Sequence, residues 1–184
     1  MSEPFWDFSV RTYRTDSVPE ACLSLQDECG VDVNMLLYCG WFGVTRGRLQ
    51  ADMFRSVLDF SESWSQRVVQ PLRHVRTWMK LDGCRDPRVP AATCMEFREK
   101  VKGIEFTAEK MQQDVLETLT APVPEKELAL ADQLAAMVNN ISLYFNMVNI
   151  TTDNFVRERL LTIVQAEVPE FSTGDIQLVL SSEL

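Results

Sequence analysis

The sequence contains one histidine, His74, and its five cysteines include no closely spaced pair. Zinc sites need closely paired thiolates or histidines, and nucleophilic catalysis needs a base beside the nucleophile. A phosphate-binding loop is also missing, because Gly40, Gly43 and Gly47 have the wrong spacing and no Gly-Lys-Ser/Thr ending follows them. We therefore predict no metal, no cofactor and no recognisable catalytic group.

Positive charge is scarce, with 18 Lys and Arg against 27 Asp and Glu and a net charge of -9. Nucleic-acid binding normally requires a surplus of positive charge, so we predict no nucleic-acid partner. A membrane helix needs ~20 apolar residues, and the most apolar stretch, residues 33–44, is only about a dozen long. With no signal-peptide pattern at the start, we expect a cytoplasmic protein, no membrane contact, and reduced cysteines that serve as small buried side chains.

Helical periodicity is present throughout, whereas the β-branched runs and tight turns of a sheet protein are absent. Residues 17–20 have the pattern of a capping box. Asp32 predicts the start of an almost wholly apolar helix over residues 33–41, followed by a glycine-containing loop over residues 43–48. Pro71 predicts a kink or a break within an apolar pattern that runs from Trp64 to Met79.

The strongest periodic segment follows a Gly- and Pro-containing loop at residues 82–90. Its apolar residues alternate steps of four and three: Phe97, Val101, Ile104, Ala108, Met111, Val115 and Leu119. A second helix, from about Glu125 to Val148, repeats the pattern after the break at residues 121–124. We predict that these two helices form a long antiparallel hairpin, and the fold class is an all-α helical bundle. If the positions are core, Leu37→Ala or Ile104→Ala should cost ~2–5 kcal/mol.

We predict one helical domain over residues 1–150 and a C-terminal helical extension over residues 151–184. The extension contains an amphipathic helix at residues 153–168, whose spacing suits either packing on the bundle or docking to a protein partner or a second copy. Beyond Gly174 the apolar residues alternate, but this pattern is too short to predict a strand.

Two groups of polar residues are candidates for a binding site. Asp27, Asp32 and Asn34 flank the apolar helix, and they provide either a cation or polar-ligand contact or, for Asp32, a helix cap. Arg73 and Arg76 are neighbours on one helical face. They either bind an anion, whose geometry suits guanidinium, or pair with the acidic N-terminal block of the chain or stay in solvent.

Aromatic residues at the N-terminus form a third group. Trp6 and Tyr13, with Phe5 and Phe8, either clamp the first segment onto the bundle or form a partner-binding patch. Carboxylates one turn apart at residues 105 and 109 lack the Glu-x-x-His pairs of a di-metal site. A pocket between helices would combine the three groups: Trp6, Tyr13, Asp27, Asp32, Asn34, Tyr38, Arg73 and Arg76.

Two N-terminal blocks carry a resemblance: Phe5-Trp6-Asp7-Phe8-Ser9, and Gly30-Val31-Asp32-Val33-Asn34 with the Leu36–Gly43 segment. The chain resembles a bacterial family catalogued only as a conserved domain of unknown function. The similarity extends over about residues 5–148 and is most distinctive over residues 5–43. It implies a small helical bacterial protein and no particular activity.

The sequence alone therefore assigns no activity. The first hypothesis is a non-enzymatic helical module for protein interaction or regulation. The alternative is a binder of a small anionic molecule, or an enzyme of an unlisted type, with its pocket between bundle helices.

Overall fold

Helices account for the fold of the computed structural model, which describes residues 3–81, 83–85 and 87–184. Among these residues there is no strand, so the predicted all-α class is confirmed. Asp82 and Asp86, within the predicted loop at 82–90, lie outside the described residues. The α-helices are α1 Phe5–Tyr13, α2 Val18–Cys29, α3 Val33–Arg46, α4 Ala51–Trp64, α5 Gln70–Leu81, α6 Ala91–Thr120, α7 Leu130–Val148, α8 Asn154–Glu167 and α9 Thr173–Glu183.

The centre of the bundle is α3, in which every residue from Met35 to Gly43 is buried. This agrees with its apolar composition on all sides. The helix continues to Arg46, so the loop predicted from residue 43 is wrong in its first part. Gly47, with φ 90°, ends the helix, and α7 packs along the length of α3.

Pro71 lies within one continuous helical segment rather than at a break. A π-helical turn over Ser65–Val69 joins α4 to α5, and the amide of Gln70 donates to the carbonyl of Ser65, five residues back. The wider turn relieves the clash that a proline ring makes with the preceding α-helical turn. The segment therefore remains helical from Ala51 to Leu81.

The predicted pairing of α6 with α7 is wrong, because α6 instead forms an antiparallel hairpin with the α4–α5 segment. The indole Nε1 of Trp64 donates to the carbonyl of Ala108 at 2.9 Å. Further along, Met79 clusters with Val101. Residue numbers therefore increase along the α4–α5 segment as they decrease along α6, which makes the two antiparallel. Residues 122–129 are not helical, which delays the start of α7 to Leu130.

The inward face of α6 also differs from the predicted apolar seam. Val101 and Ala108 are buried, but the other members are 37–56% exposed: Phe97, Ile104, Met111, Val115 and Leu119. Glu105 and Gln112 are buried instead, so the helix is turned by roughly one residue, about 100°. Ile104→Ala therefore removes no core side chain of the single chain and should cost the monomer about 0.5 kcal/mol or less, whereas the expectation for the buried Leu37 stands.

The C-terminal extension is part of the core. Its buried apolar side chains are Val156, Leu160, Ile163, Val164, Ile176 and Leu180. Helix α8 packs mainly against α2, and α9 packs against α7 and α8. The anchors that the spacing offered to a partner are thus covered by the chain itself, and the tail after Gly174 is helical.

Helix ends provide one confirmation and one correction. The carboxylate of Asp32 accepts from the amide of Asn34 at 2.9 Å and caps α3, as predicted. Ser17 instead has φ 70° and makes no side-chain cap, so the capping box predicted there is wrong. A capping box occurs at Ser172 and Asp175, at the start of α9.

The cysteines follow the prediction only in part. Cys22 and Cys39 are buried free thiols, whereas Cys84 and Cys94 form a disulfide between the turn after α5 and the first turn of α6. No helix in the described part of the chain is both long and apolar enough to cross a membrane.

Candidate functional site

A cleft of about 750 Å³ opens between α1, the junction of α2 with α3, α5 and α6. This volume lies within the usual range of small-molecule sites, roughly 300–1,000 Å³. Six of the eight predicted site residues line it: Trp6, Tyr13, Asp32, Asn34, Arg73 and Arg76. Asp27 is exposed outside the cleft, where it accepts from Gln26. Tyr38 is fully buried and packs among core aromatic rings.

Two arginines of α5 face two glutamates of α6 across the cleft. Nε of Arg73 lies 2.9 Å from Glu105 Oε1, and its Nη2 lies 2.5 Å from Glu109 Oε1. Its Nη1 donates to Gln26. Arg76 donates to the same Glu105 through Nε and Nη2. The arginines thus pair with glutamates of α6, so the predicted pairing with the acidic N-terminal block is wrong.

The two glutamates of this cluster have opposite pKa shifts. Burial raises the pKa of Glu105, but hydrogen bonds from Arg76 and Arg73 outweigh it, so the pKa lies below its ordinary value. Burial also raises the pKa of Glu109, and its single arginine partner does not compensate, so that pKa lies above its ordinary value. Glu105 is therefore the fixed counter-ion of the cluster, and Glu109 is the carboxyl that takes up a proton first.

A hydrogen-bonded network of side chains forms the floor of the cleft. The second carboxylate oxygen of Asp32 accepts from Ser61 at 3.2 Å and from Gln112 at 3.1 Å. Asn34 donates to Gln112 and accepts from Gln113, both at 2.8 Å. Burial raises the pKa of Asp32 despite these donors. Asp32 is thus a cap and an anchor, and among the described residues no cluster suited to a metal ion occurs.

Several polar atoms in the cleft wall have no protein partner among the described residues. Ser9 Oγ and Gln113 Oε1 are both buried without a hydrogen bond. Buried polar groups are normally paired, so these two atoms are ones that a bound molecule would satisfy. Nη1 of Arg76 is not used by Glu105, which takes Nε and Nη2, and the side chain of Arg76 is 25% exposed.

Aromatic side chains form the rim. The rings of Trp6 and Phe106 meet edge to face with centroids 5.1 Å apart. Nζ of Lys110 lies 5.4 Å from the Trp6 centroid. Burial raises the pKa of Tyr13 to about 12, so its hydroxyl stays protonated at neutral pH. The rim therefore offers an apolar surface above the charged cluster.

Sequence reasoning missed Ser9, Phe106, Gln112 and Gln113 as lining residues. The sequence of α6 contains a pattern that could have identified its lining residues. Polar residues follow the apolar residues by one position and therefore recur with the same steps of four and three. Glu105, Glu109 and Gln112 are the members of this polar stripe.

Fold and site together define an all-α protein with a cleft of mixed polar and apolar lining between its helices. The chain belongs to the family described as a protein of unknown function (DUF2390), which matches residues 4–116. The resemblance to a domain of unknown function is confirmed, although the match ends before residue 148. Every residue that lines the cleft falls within the matched region. No curated protein and no solved structure matches the chain.

Proposed function

We propose that the protein binds a small organic molecule in the cleft between α1, α3, α5 and α6. One observation carries the proposal: the ionic cluster around Arg73 and Arg76 shares the cleft with unpartnered polar atoms of Ser9 and Gln113. A buried polar atom without a partner costs about 1–3 kcal/mol. A ligand with matching groups would remove that cost, and a largely formed cleft with a few converging polar groups is the usual form of such a site.

The charges of the cleft indicate the class of ligand. Its basic residues exceed its acidic ones by a single charge: Arg14, Arg73, Arg76 and Lys102 against Asp32, Glu105 and Glu109. This balance suits one anionic group, such as a carboxylate, on Nη1 of Arg76, because charge-assisted bonds to guanidinium are strong. An N–H or O–H of the ligand would donate to Gln113 Oε1, and an aromatic body would pack against Trp6.

The aromatic anion 8-anilinonaphthalene-1-sulfonate has these three features and serves as the probe. We expect a saturable fluorescence increase with one site per chain. Arg76→Gln should weaken binding about tenfold, the equivalent of one charge-assisted hydrogen bond of ~1.5 kcal/mol. Arg67→Gln is the matched control, since Arg67 is exposed on the same helical segment and does not line the cleft. Equal affinity of the Arg76 variant and wild type would overturn the proposal.

The same titration has a pH dependence set by Glu109. Because its pKa is raised, it gains a proton at a higher pH than an ordinary glutamate as the pH falls, and its hold on Arg73 weakens. Glu105, with its lowered pKa, stays charged, and the sulfonate is anionic throughout. Probe affinity should therefore rise as pH falls. Glu109→Gln should bind more tightly at alkaline pH and show a flatter profile. A steeper profile in that variant would contradict the role of Glu109.

The interaction-module hypothesis is supported by the exposed apolar residues of α6 rather than by the helix at residues 153–168. We further propose a bacterial, cytoplasmic protein, with the buried thiols of Cys22 and Cys39 as support. A reducing cytosol keeps cysteines as thiols, so alkylation during denaturing lysis of the cells should label all five, which requires that Cys84 and Cys94 are reduced in the cell. Labelling of only the three free cysteines after denaturation would place the chain in an oxidising compartment.

A further inference from the structure

A row of large apolar side chains is exposed along α6, on the side of the helix away from the cleft. Its members are Phe97, Ile104, Met111, Val115 and Leu119. At ~100° per residue they lie within roughly 80° of one another, and Glu109 lies well outside that arc. On α5, Val75 and Trp78 are also exposed and lie on the side opposite Arg73. We name these seven residues the outer face.

The area of the outer face approaches one half of a stable interface. Phe and Trp bury ~150–250 Å² each when fully covered and aliphatic side chains bury less, so seven side chains that are about half exposed offer roughly 600 Å² per chain. Stable complexes bury ≈ 800 Å² per partner. The largest apolar patch on a typical monomer is ≈ 300–600 Å², so the outer face reaches the upper end of what a lone chain normally leaves in water.

The spacing of the exposed residues identifies the partner as a second copy of this chain. Phe97 and Leu119 lie 11 residues on either side of Ala108, while Ile104 lies four before it and Met111 three after it. An antiparallel copy of α6 would therefore place Phe97 opposite Leu119 and Ile104 opposite Met111. A two-fold interface needs such self-complementarity, because the same patch is used on both subunits.

Pairing of two copies would also explain why the apolar seam of α6 is wider than the side that its own chain covers. Its seven positions, spaced by four and three from residue 97 to residue 119, carry no charge. Val101 and Ala108 are covered by the α4–α5 segment of the same chain, whereas the other five remain 37–56% exposed. The seam is wide enough for two neighbours, one from within the chain and one from outside it.

We propose that two copies of the protein pair through their outer faces, with α6 antiparallel to α6 of the partner. Two α5–α6 hairpins then form a four-helix bundle, a packing that such hairpins commonly adopt. The cleft lies on the opposite side of the hairpin and stays open. The proposal is thus independent of ligand binding, and Ile104→Glu should leave the affinity of the sulfonate probe unchanged.

Sedimentation of the full chain across a concentration series tests the pairing. Wild type should sediment at twice 21.1 kDa, and Ile104→Glu should sediment as a monomer with an unchanged circular dichroism spectrum, because the replaced side chain is exposed. Leu178→Glu, on the exposed part of α9, is the matched control and should remain dimeric. A monomeric wild type, or a dimeric Ile104 variant, overturns the proposal.

A charge-pair experiment tests the register. Met111→Lys alone should also be monomeric, because each copy would bury a lysine against Ile104. Mixed with Ile104→Glu, it should form a heterodimer in which the two new charges face each other across the two-fold axis. Failure of the mixture to associate, with both variants folded, would rule out the antiparallel register.

Discussion

Gly43→Ala should destabilise the protein by about 3 kcal/mol, near the upper end of the usual cost of overpacking. A Cβ at Gly43 would lie 2.6 Å from both the Cα and the backbone nitrogen of Met137 on α7. Backbone atoms cannot rotate away as a side chain can, so α3 and α7 would have to separate. These two helices have the most extensive contact in the bundle, and their separation would loosen the core on both sides.

Gly103→Ala provides the matched control, since it makes the same chemical change in another helix. A Cβ at Gly103 would meet no heavy atom within 4 Å, and glycine within a helix is less favourable than alanine by about 0.5–1 kcal/mol. This variant should therefore be slightly more stable than wild type. Urea unfolding of wild type, Gly43→Ala and Gly103→Ala at one common protein concentration tests whether the free energy of unfolding falls in the first variant and rises in the second. A cost below about 0.5 kcal/mol for Gly43→Ala would show that α3 and α7 tolerate more space than the structure indicates.

The place of α3 at the centre could be predicted, whereas the partner of α6 could not. A helix apolar on all sides has only one stable environment, the core. The pattern of an amphipathic helix shows which side is apolar but not which helix covers that side. Two segments of suitable length, α7 and α4–α5, could have covered α6. The choice depends on polar contacts over long sequence distances, such as Arg73 with Glu105 and Trp64 with the carbonyl of Ala108.

The candidate site was predictable where charge and capping constrain a residue. Asp32 was identified because a carboxylate before an apolar helix has a capping role, and Arg73 because basic residues are scarce in this acidic chain. Asp27 was misplaced, because a shift of one residue, about 100° around α2, decides between cleft and solvent: Gln26 lines the cleft and Asp27 is exposed. Gln112 and Gln113 carry no charge and fit many environments, so only the fold shows that they form the floor.

A buried amide on α7 is expected to produce an effect as large as that of Gly43. The side chain of Asn140 is fully buried, and its Oδ1 accepts from the amide of Leu49 at 2.8 Å. Its Nδ2 donates to the carbonyls of Gly47 at 3.1 Å and Cys39 at 3.3 Å. One side chain thus bonds to two backbone groups at the turn between α3 and α4, where Gly47 has a positive φ, and to a third, the Cys39 carbonyl, within α3.

Asn140→Ala should therefore cost ~3–5 kcal/mol, because each unsatisfied buried backbone group costs about 1–3 kcal/mol and a small cavity adds to the loss. Asn139→Ala is the neighbouring control, since its amide makes only a long contact, 3.5 Å, with Glu183; it should change the free energy of unfolding by about 0.5 kcal/mol or less. Asn140→Leu separates the two causes, because it roughly preserves the volume and adds no charge but removes both the donor and the acceptor. If Asn140→Leu is as stable as wild type while Asn140→Ala is not, the cavity rather than the lost hydrogen bonds explains the loss. A large loss in both variants would show that the hydrogen bonds of Asn140 hold the turn after α3, and with it the contact between α3 and α7.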